Sequence, residues 1–332
     1  MWGEEPVPAK AISRPVEGPR FLQGLCQRLN QAGIVWLSFL LLVLIASILS
    51  PAFLTIRNLL NILRQASILG IISVGQTIVL LSGGADLSQS TVMTLSAVVA
   101  FQYLAGRDAM ILPVLLLCLT IGAAVGLFNG LMISKVKVPP FLMTLGTRTI
   151  ILGVGLVFTQ GVPQGSITPL FRQVLGRIDL LGIPGQIVIW AVIVLISWVL
   201  LNRTVFGRRL YAVGGNRRAA RQSGVQVDRI LIAGYVISGL LAAYGGLMLG
   251  ARSGNADNTL GHGYELNALA ASVIGGTSFA GGRGGLGGTV GGVLLIIALQ
   301  NVLNILGVNP NAYLVAMGLV IMAPMVLLKV QR

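Results

Sequence analysis

Few side chains in this sequence could do chemistry, and the notable ones lie inside apolar stretches. Asp86 falls in LLSGGADLSQST, Arg148 in TLGTRTIILG, Glu265 in HGYELNALA, and Asn129 and Asn301 among aliphatic residues. A charged group at membrane depth costs about 2.5–3.5 kcal/mol on insertion scales, so each must be paired or line a polar route. Nothing beside them makes a reaction centre. His262 is the only histidine and cannot hold a metal alone, and Cys26 and Cys118 have neither disulfide nor metal spacing. Gly282, Gly284 and Gly287 spell G-x-G-x-x-G, but a dinucleotide site needs a preceding strand and a soluble βαβ unit. G-x-x-x-x-G-K-[ST] is absent and none of the four lysines follows a glycine, so the chain has no P-loop. These residues point to passage of a solute, with no catalytic, cofactor-binding or metal site.

The elements that position them begin with a polar island, Asn202–Arg229. It carries seven arginines (203, 208, 209, 217, 218, 221 and 229) against the single Asp228. Asn216 is a candidate N-cap and Gly224 the residue past the C-terminus, which predicts a helix over Arg217–Ser223, roughly 10 Å long. Framed by Gly214 and Gly215, it is too short to be stable alone and must be held by flanking helices or a partner. The plainer reading is a positive-inside anchor. An anchor needs the arginines but not a capped helix.

Composition sets the class. Hydrophobic residues are 55% and charged residues 10% of the 332, with 44 glycines and net charge +14, where a soluble domain has roughly 25% charged residues. An all-α polytopic membrane protein follows. Residues 1–33 read as a cytoplasmic tail and interfacial segment, and 34–332 as the transmembrane domain with a cytoplasmic loop over 203–228. At about 20 residues per span, ten spans are expected near 34–50, 66–83, 90–105, 111–134, 141–158, 185–202, 229–250, 266–280, 286–306 and 311–328. With both ends in the cytoplasm, sixteen of the 23 basic residues are cytoplasmic: Lys10, Arg14, Arg20, Arg28, Lys135, Lys137, the seven loop arginines, Arg283, Lys329 and Arg332. That asymmetry obeys the positive-inside rule. Such a basic surface suits anionic headgroups and a cytoplasmic partner, not nucleic acid.

Two glycines followed by Asp86 break the path between spans two and three. A break at that depth is tolerated only where protein buries it or it lines a cavity. Asp86 either caps the following helix or faces the pathway, with the Leu87–Thr91 amides or an arginine such as Arg148 as expected neighbours. Gly122, Gly126 and Gly130 form a small-residue stripe, as do Gly284, Gly288 and Gly292, each allowing close helix approach. Asn129 and Asn301 read as interhelical glue or as ligands of the solute. Pro139-Pro140 suit a helix start. The 159–184 segment carries an amphipathic ITPLFRQVLGRI stretch, fit to lie on the outer interface or to dock a partner.

Four segments, in order, resemble one family. YAVGGNRRAARQSGV is similar to the coupling loop of permease subunits of bacterial ABC importers for ribose, xylose, arabinose and related monosaccharides. GGADLSQST resembles that family's Gly-Gly-Ile-Asp-Leu-Ser-Val-Gly-Ser, departing at Ala85, Gln89, Ser90 and Thr91, which adds polarity after the break. VPPFLMTLGTRTIILG resembles its Pro-Ala-Phe…Thr-Leu-Gly-Thr segment. Leu152 occupies the usual arginine position and Arg148 stands one turn earlier, facing a polar interior or a carboxylate. GYELNALAASVIGGTSFAGG resembles its Gly-Tyr-Glu-Leu-Asp-Ala-Ile-Ala run, with Asn267 replacing Asp. The resemblance implies an ABC importer permease fold of ten helices, some broken or re-entrant, in the bacterial inner membrane, two copies enclosing one pathway. It implies a separate ATP-binding subunit carrying ATP and Mg, and a periplasmic binding protein. On this reading Gly214, Gly215, Asn216, Arg217, Arg218, Ala219, Ala220, Ser223 and Gly224 couple to the ATPase. Asp86, Ser88, Asn129, Thr144, Arg148, Glu265 and Asn267 face the pathway. A nucleoside or branched-chain amino-acid ABC permease is the alternative. An ion-coupled secondary transporter, which would show paired intramembrane carboxylates or repeated halves, is the competing class.

Overall fold

The structure, a computed structural model, describes residues 31–177, 179–180, 183–255 and 257–308, with positions 315 and 318. The expected tail through residue 30, the tenth span over 311–328 apart from positions 315 and 318, Cys26, and Lys10, Arg14, Arg20, Arg28, Lys329 and Arg332 lie outside those residues. Within them run α1 (Gln31–Leu49), α2 (Ile56–Leu81), α3 (Gln89–Leu104), α4 (Ile111–Leu131), α5 (Pro140–Thr159), α6 (Pro169–Arg172), α7 (Gly185–Arg203), α8 (Val205–Gly215), α9 (Arg217–Gln222), α10 (Val227–Ser253), α11 (Tyr264–Ile274) and α12 (Leu286–Ile305). A two-residue antiparallel pair, β1 (Asp179–Leu180) with β2 (Ile183–Pro184), precedes α7. Side-chain caps start several helices: Thr55 at α2, Thr168 at α6, Thr204 at α8 and Asn216 at α9 each accept backbone N–H groups.

Among the described residues six helices are long and apolar enough to cross a membrane: α2, α4 with its flanking turns, α5, α7, α10 and α12. Expected spans over 90–105 and 266–280 are shorter than that. α3 has 16 residues and α11 has 11, and at 1.5 Å per residue neither covers a hydrocarbon core of about 30 Å. Each follows or precedes a glycine-rich break. The 203–228 loop also holds more structure than its charge suggested. α8 is an 11-residue amphipathic helix whose Leu210 and Val213 are buried.

α2 is the axis of the packing, with 83% of its apolar window buried, while the windows of α4 and α5 are only 22% and 17% buried. α10 packs on α2, α3 and α4. The stripe Gly122, Gly126, Gly130 makes the α4–α10 crossing possible, because a Cβ at the first two would collide with the carbonyls of Gly239 and Tyr235. α12 packs on α1, α2 and α11. A side chain at Gly288 would run into the Gly275 carbonyl, and one at Gly292 into that of Ala271. Gly284, expected on the same stripe, lies before α12 begins, at φ 128 against Thr277. The 169–175 stretch does not simply rest on an interface. Phe171 and Leu175 are buried in a cluster with Val99, Leu104, Val114 and Leu247.

Gly292→Leu should lower the melting temperature in detergent, since overpacking of this kind costs about 1–3 kcal/mol. Gly146→Ala, at a position with nothing within 4 Å of an added Cβ, should leave it unchanged or raise it.

Candidate functional site

The backbone leaves α2 at Leu81, turns through Gly83 at φ 77, and re-enters as α3 at Gln89. Asp86 stands at the middle of that break, 1% exposed. Its Oδ1 accepts from the Ser88 N–H at 3.0 Å and from Ser88 Oγ at 2.6 Å, and its Oδ2 accepts from Ser238 Oγ at 2.6 Å. The donors are themselves supplied. Asn129 Nδ2 donates to Ser88 Oγ at 3.0 Å, and Thr147 Oγ1 donates to Asn129 Oδ1 at 2.6 Å. Gln89 Nε2 donates to Ser238 Oγ at 2.9 Å and to the Ile72 carbonyl at 3.2 Å. Apart from the Gln89 bond to Ile72, each of these bonds points its hydrogen toward the Asp86 carboxyl, which is thereby satisfied without a cation. Tyr235 and Thr144 hold the Ala85 carbonyl beside it, each at 3.3 Å.

Asp86 does not pair with Arg148, the expected neighbour; among the described residues it has no ion pair. Arg148 Nη2 instead lies 2.8 Å from Glu265 Oε1, with side-chain exposures of 27% and 1%. The reason is placement: Glu265 opens α11 while Asp86 already has donors from α3 and α10. The second Glu265 oxygen, Oε2, is buried with no partner. Asn267 is half-buried on α11. Asn301 exchanges two hydrogen bonds with Asn58, at 2.8 and 2.9 Å, tying α12 to α2.

A second constellation meets the same break where it leaves α2. Asn216 Oδ1 accepts from the Arg218 and Ala219 N–H groups, both at 3.0 Å. At the other end Gly224 takes φ 79, its N–H bonding Arg221 O and that of Val225 bonding Ala220 O, the two-bond glycine termination of a helix. Arg217 Nη2 donates to the carbonyls of Ser82 and Gly83, at 3.2 and 3.3 Å. The Gly282 N–H reaches the Leu81 carbonyl at 3.0 Å, and Tyr211 OH the Gly284 carbonyl at 3.0 Å. Gly214 is pressed against Leu81 and Gly282 so tightly that no Cβ fits. Three backbones thus cross at one point: the exit of α2, the end of α8, and the loop between α11 and α12.

α9 is two-sided. Arg218, Ala219, Arg221 and Gln222 are exposed, whereas Ala220 is buried with Leu201, Leu210 and Leu231. Ala220, grouped with the outward coupling residues on sequence, faces this chain's own core. Lys137, Arg217, Arg218 and Arg221 line a cleft of about 440 Å³ floored by Ile133, Val227 and Leu231. Among the described residues only Asp228 answers that charge, at 3.1 Å from Lys135, 3.7 Å from Lys137 and 3.2 Å from Arg221.

Sequence reasoning missed Ser238, Gln89, Tyr235 and Thr147 as partners of the break. No motif marks Ser238 or Tyr235, which lie in a distant apolar helix. Thr147 stood in a quoted segment, and Gln89 was noted only as added polarity.

Arg148→Met should destabilise the protein by about 3–5 kcal/mol, because it strands a buried carboxylate. The double change Arg148→Met/Glu265→Met should recover most of that loss, as read from melting temperatures in detergent.

Residues 58–325 match the family model described as the branched-chain amino acid transport system permease component. The ribose import permease protein of Bacillus subtilis (strain 168) is 45% identical over 308 residues, covering 92% of this chain and 93% of that protein. The ribose import permease protein of Escherichia coli (strain K12) is 39% identical over 289 residues, covering 86% and 90%. The galactose/methyl galactoside import permease protein of Haemophilus influenzae is 36% identical over 305 residues, covering 86% and 91%. No solved structure was found to match the chain. The chain belongs to this family of ABC-importer permease components, alongside the ribose and galactose import permeases.

Proposed function

We propose that the chain carries a monosaccharide across the bacterial inner membrane, driven by ATP hydrolysed on a separate subunit. It is a permease subunit and not an enzyme, and its six apolar helices make it a multi-pass membrane protein. The named substrates of its relatives, ribose and galactose, support a sugar over the branched-chain amino acid of the family description. The fold we assign is the ten-helix importer type, with α3 and α11 as partial crossings and both chain ends in the cytoplasm. Two permease copies, identical or related, enclose the pathway. A periplasmic binding protein delivers the sugar to the face opposite α9.

The observation that carries the mechanism is the tie between α9 and the break. Arg217 holds the Ser82 and Gly83 carbonyls, four and three residues before Asp86. A push on α9 is therefore transmitted to the start of α3, and through Gly282 to the loop after α11. The exposed Arg218 and Arg221, beside the basic cleft, suit an ATPase surface bearing carboxylates. ATP and Mg bind that partner. Closure of two ATPase subunits around ATP would then displace both partial helices together and switch the pathway between outward- and inward-open states. Among the pathway residues, Asp86, Ser88, Asn129 and Thr144 hold the moving break in shape, while Arg148, Glu265 and Asn267 belong to the opposite mouth.

The test is reconstitution with the ATPase and binding protein in liposomes. Arg218→Glu and Ala219→Asp, both on the exposed side, should leave the permease melting temperature unchanged and abolish sugar-stimulated ATP hydrolysis. Arg217→Met should permit assembly and ATP hydrolysis but lower the sugar moved per ATP. Normal transport by all three variants would contradict the assignment of α9.

A further inference from the structure

Most buried polar groups in the broken region have partners, but one seam does not. Gln76 is 0% exposed, and both its amide oxygen and its amide nitrogen lack any hydrogen-bond partner. Gln89 Oε1, Ser90 Oγ and Glu265 Oε2 are buried and unpartnered as well. A buried polar group left unmade is costly, and a native one needs an explanation.

The helix geometry gathers these groups on one seam. On α2, a Cβ at Gly75 would meet Ser238 and Gln89 at 3.0 and 3.1 Å, so that side faces α3 and α10. Thr77 bonds Ser272 of α11 at 3.0 Å and Thr289 of α12 at 2.7 Å. Gln76 projects about 100° from each neighbour, between those two faces, and so enters the wedge between α3 and α11. One turn on, Leu80 clusters with Ala85 and with Leu269 of α11. α12 runs opposite to α2, through Asn58–Asn301 and Thr77–Thr289, and opposite to α11, through Gly275–Gly288 and Ala271–Gly292. α2 and α11 therefore run the same way. Gln76 and Glu265, each one turn before a leucine of that cluster, are displaced toward the same end. Ser90 lies one turn from Thr94, whose Oγ1 accepts the Gly261 N–H at 3.0 Å just ahead of α11.

We propose that this α2–α3–α11 seam is a transient binding station for a polyhydroxylated solute, with Gln76 as its central contact. The inference rests on the sugar-permease reading and assigns that reading a site. The unpartnered set offers three carbonyl or carboxylate acceptors, one amide donor and one hydroxyl. Sugar hydroxyls, each a donor and an acceptor, match it. A zwitterionic amino acid fits it less well, because Arg148, the cation beside Glu265, is already engaged. In the closed seam the groups go unsatisfied. Opening it onto hydroxyls satisfies them, so the site favours an occupied intermediate yet expels the solute on closure, as a conduit that must release its cargo requires.

The experiment uses the full complex of permease, ATPase and binding protein in proteoliposomes, with radiolabelled ribose as the probe. Gln76→Met keeps the side-chain length but removes both polar atoms. The expected result is a fall of about tenfold or more in ribose accumulated per ATP hydrolysed, with binding-protein-stimulated hydrolysis at the wild-type level. The melting temperature should be equal or higher, since an unsatisfied group has been removed. Gln76→Asn, which keeps the amide, should retain more uptake than Gln76→Met. Wild-type uptake by Gln76→Met, or a loss of uptake that tracks a lower melting temperature, would overturn the proposal. A wild-type complex that accumulates leucine and not ribose would overturn the sugar reading itself, and this station with it.

Discussion

A broken helix inside a bilayer must find its hydrogen bonds within the protein, and the rest of this structure follows from how that is done around Asp86. Between Leu81 and Gln89 the chain abandons helical geometry. The carboxylate gathers the Ser88 amide and hydroxyl from its own turn and the Ser238 hydroxyl from α10. Asn129 and Thr147 extend the network into α4 and α5, and Gln89 returns it to α2. The network around this one carboxyl thus reaches α2, α3, α4, α5 and α10. The donors are neutral, so the carboxyl is satisfied without a cation, and Arg148 pairs with Glu265 instead.

The same constraint accounts for the glycines. A break is useful to a transporter only if something outside the membrane can move it, and here the backbones themselves make the connection. Gly214 lets the end of α8 touch Leu81, and the Gly282 N–H closes the third side. Arg217 then spans from the head of α9 to the first carbonyls of the break. Side chains at this crossing would separate the strands of backbone and replace a stiff linkage by a soft one. Along α4 and α12 the glycines do a different job, letting whole helices approach so that the polar network can close.

Much of this was legible in the sequence, and what was not has a physical reason. The capped short helix was visible because its signals are local: Asn216 before it, Gly224 after it. The break was visible because Gly83, Gly84 and Asp86 cannot propagate an apolar helix, and Gly122, Gly126 and Gly130 announced a close crossing by their spacing. Partnerships between distant segments were not visible. Arg148 could have answered either Asp86 or Glu265, and only the placement of α11 decides for the latter. Ser238 looked like any small residue of a span, although it supplies the Asp86 carboxylate from across the fold. α11 was expected within a span over 266–280, whereas the glycines at 275 and 276 end the helix at Ile274. Gln76 gave no signal at all, since a glutamine in an apolar helix shows its lack of partners only once the neighbours are known.

The central claim, that Asp86 is held by donated hydrogen bonds and not by a cation, is tested most directly by a double-mutant cycle between Asp86→Asn and Ser238→Ala. Asp86→Asn leaves one acceptor oxygen where Ser88 and Ser238 now use two, so the two changes should be non-additive. The account predicts that Ser238→Ala costs less in the Asp86→Asn background than in the wild type, by about 1–3 kcal/mol in unfolding free energy. Strict additivity of the two changes would contradict it.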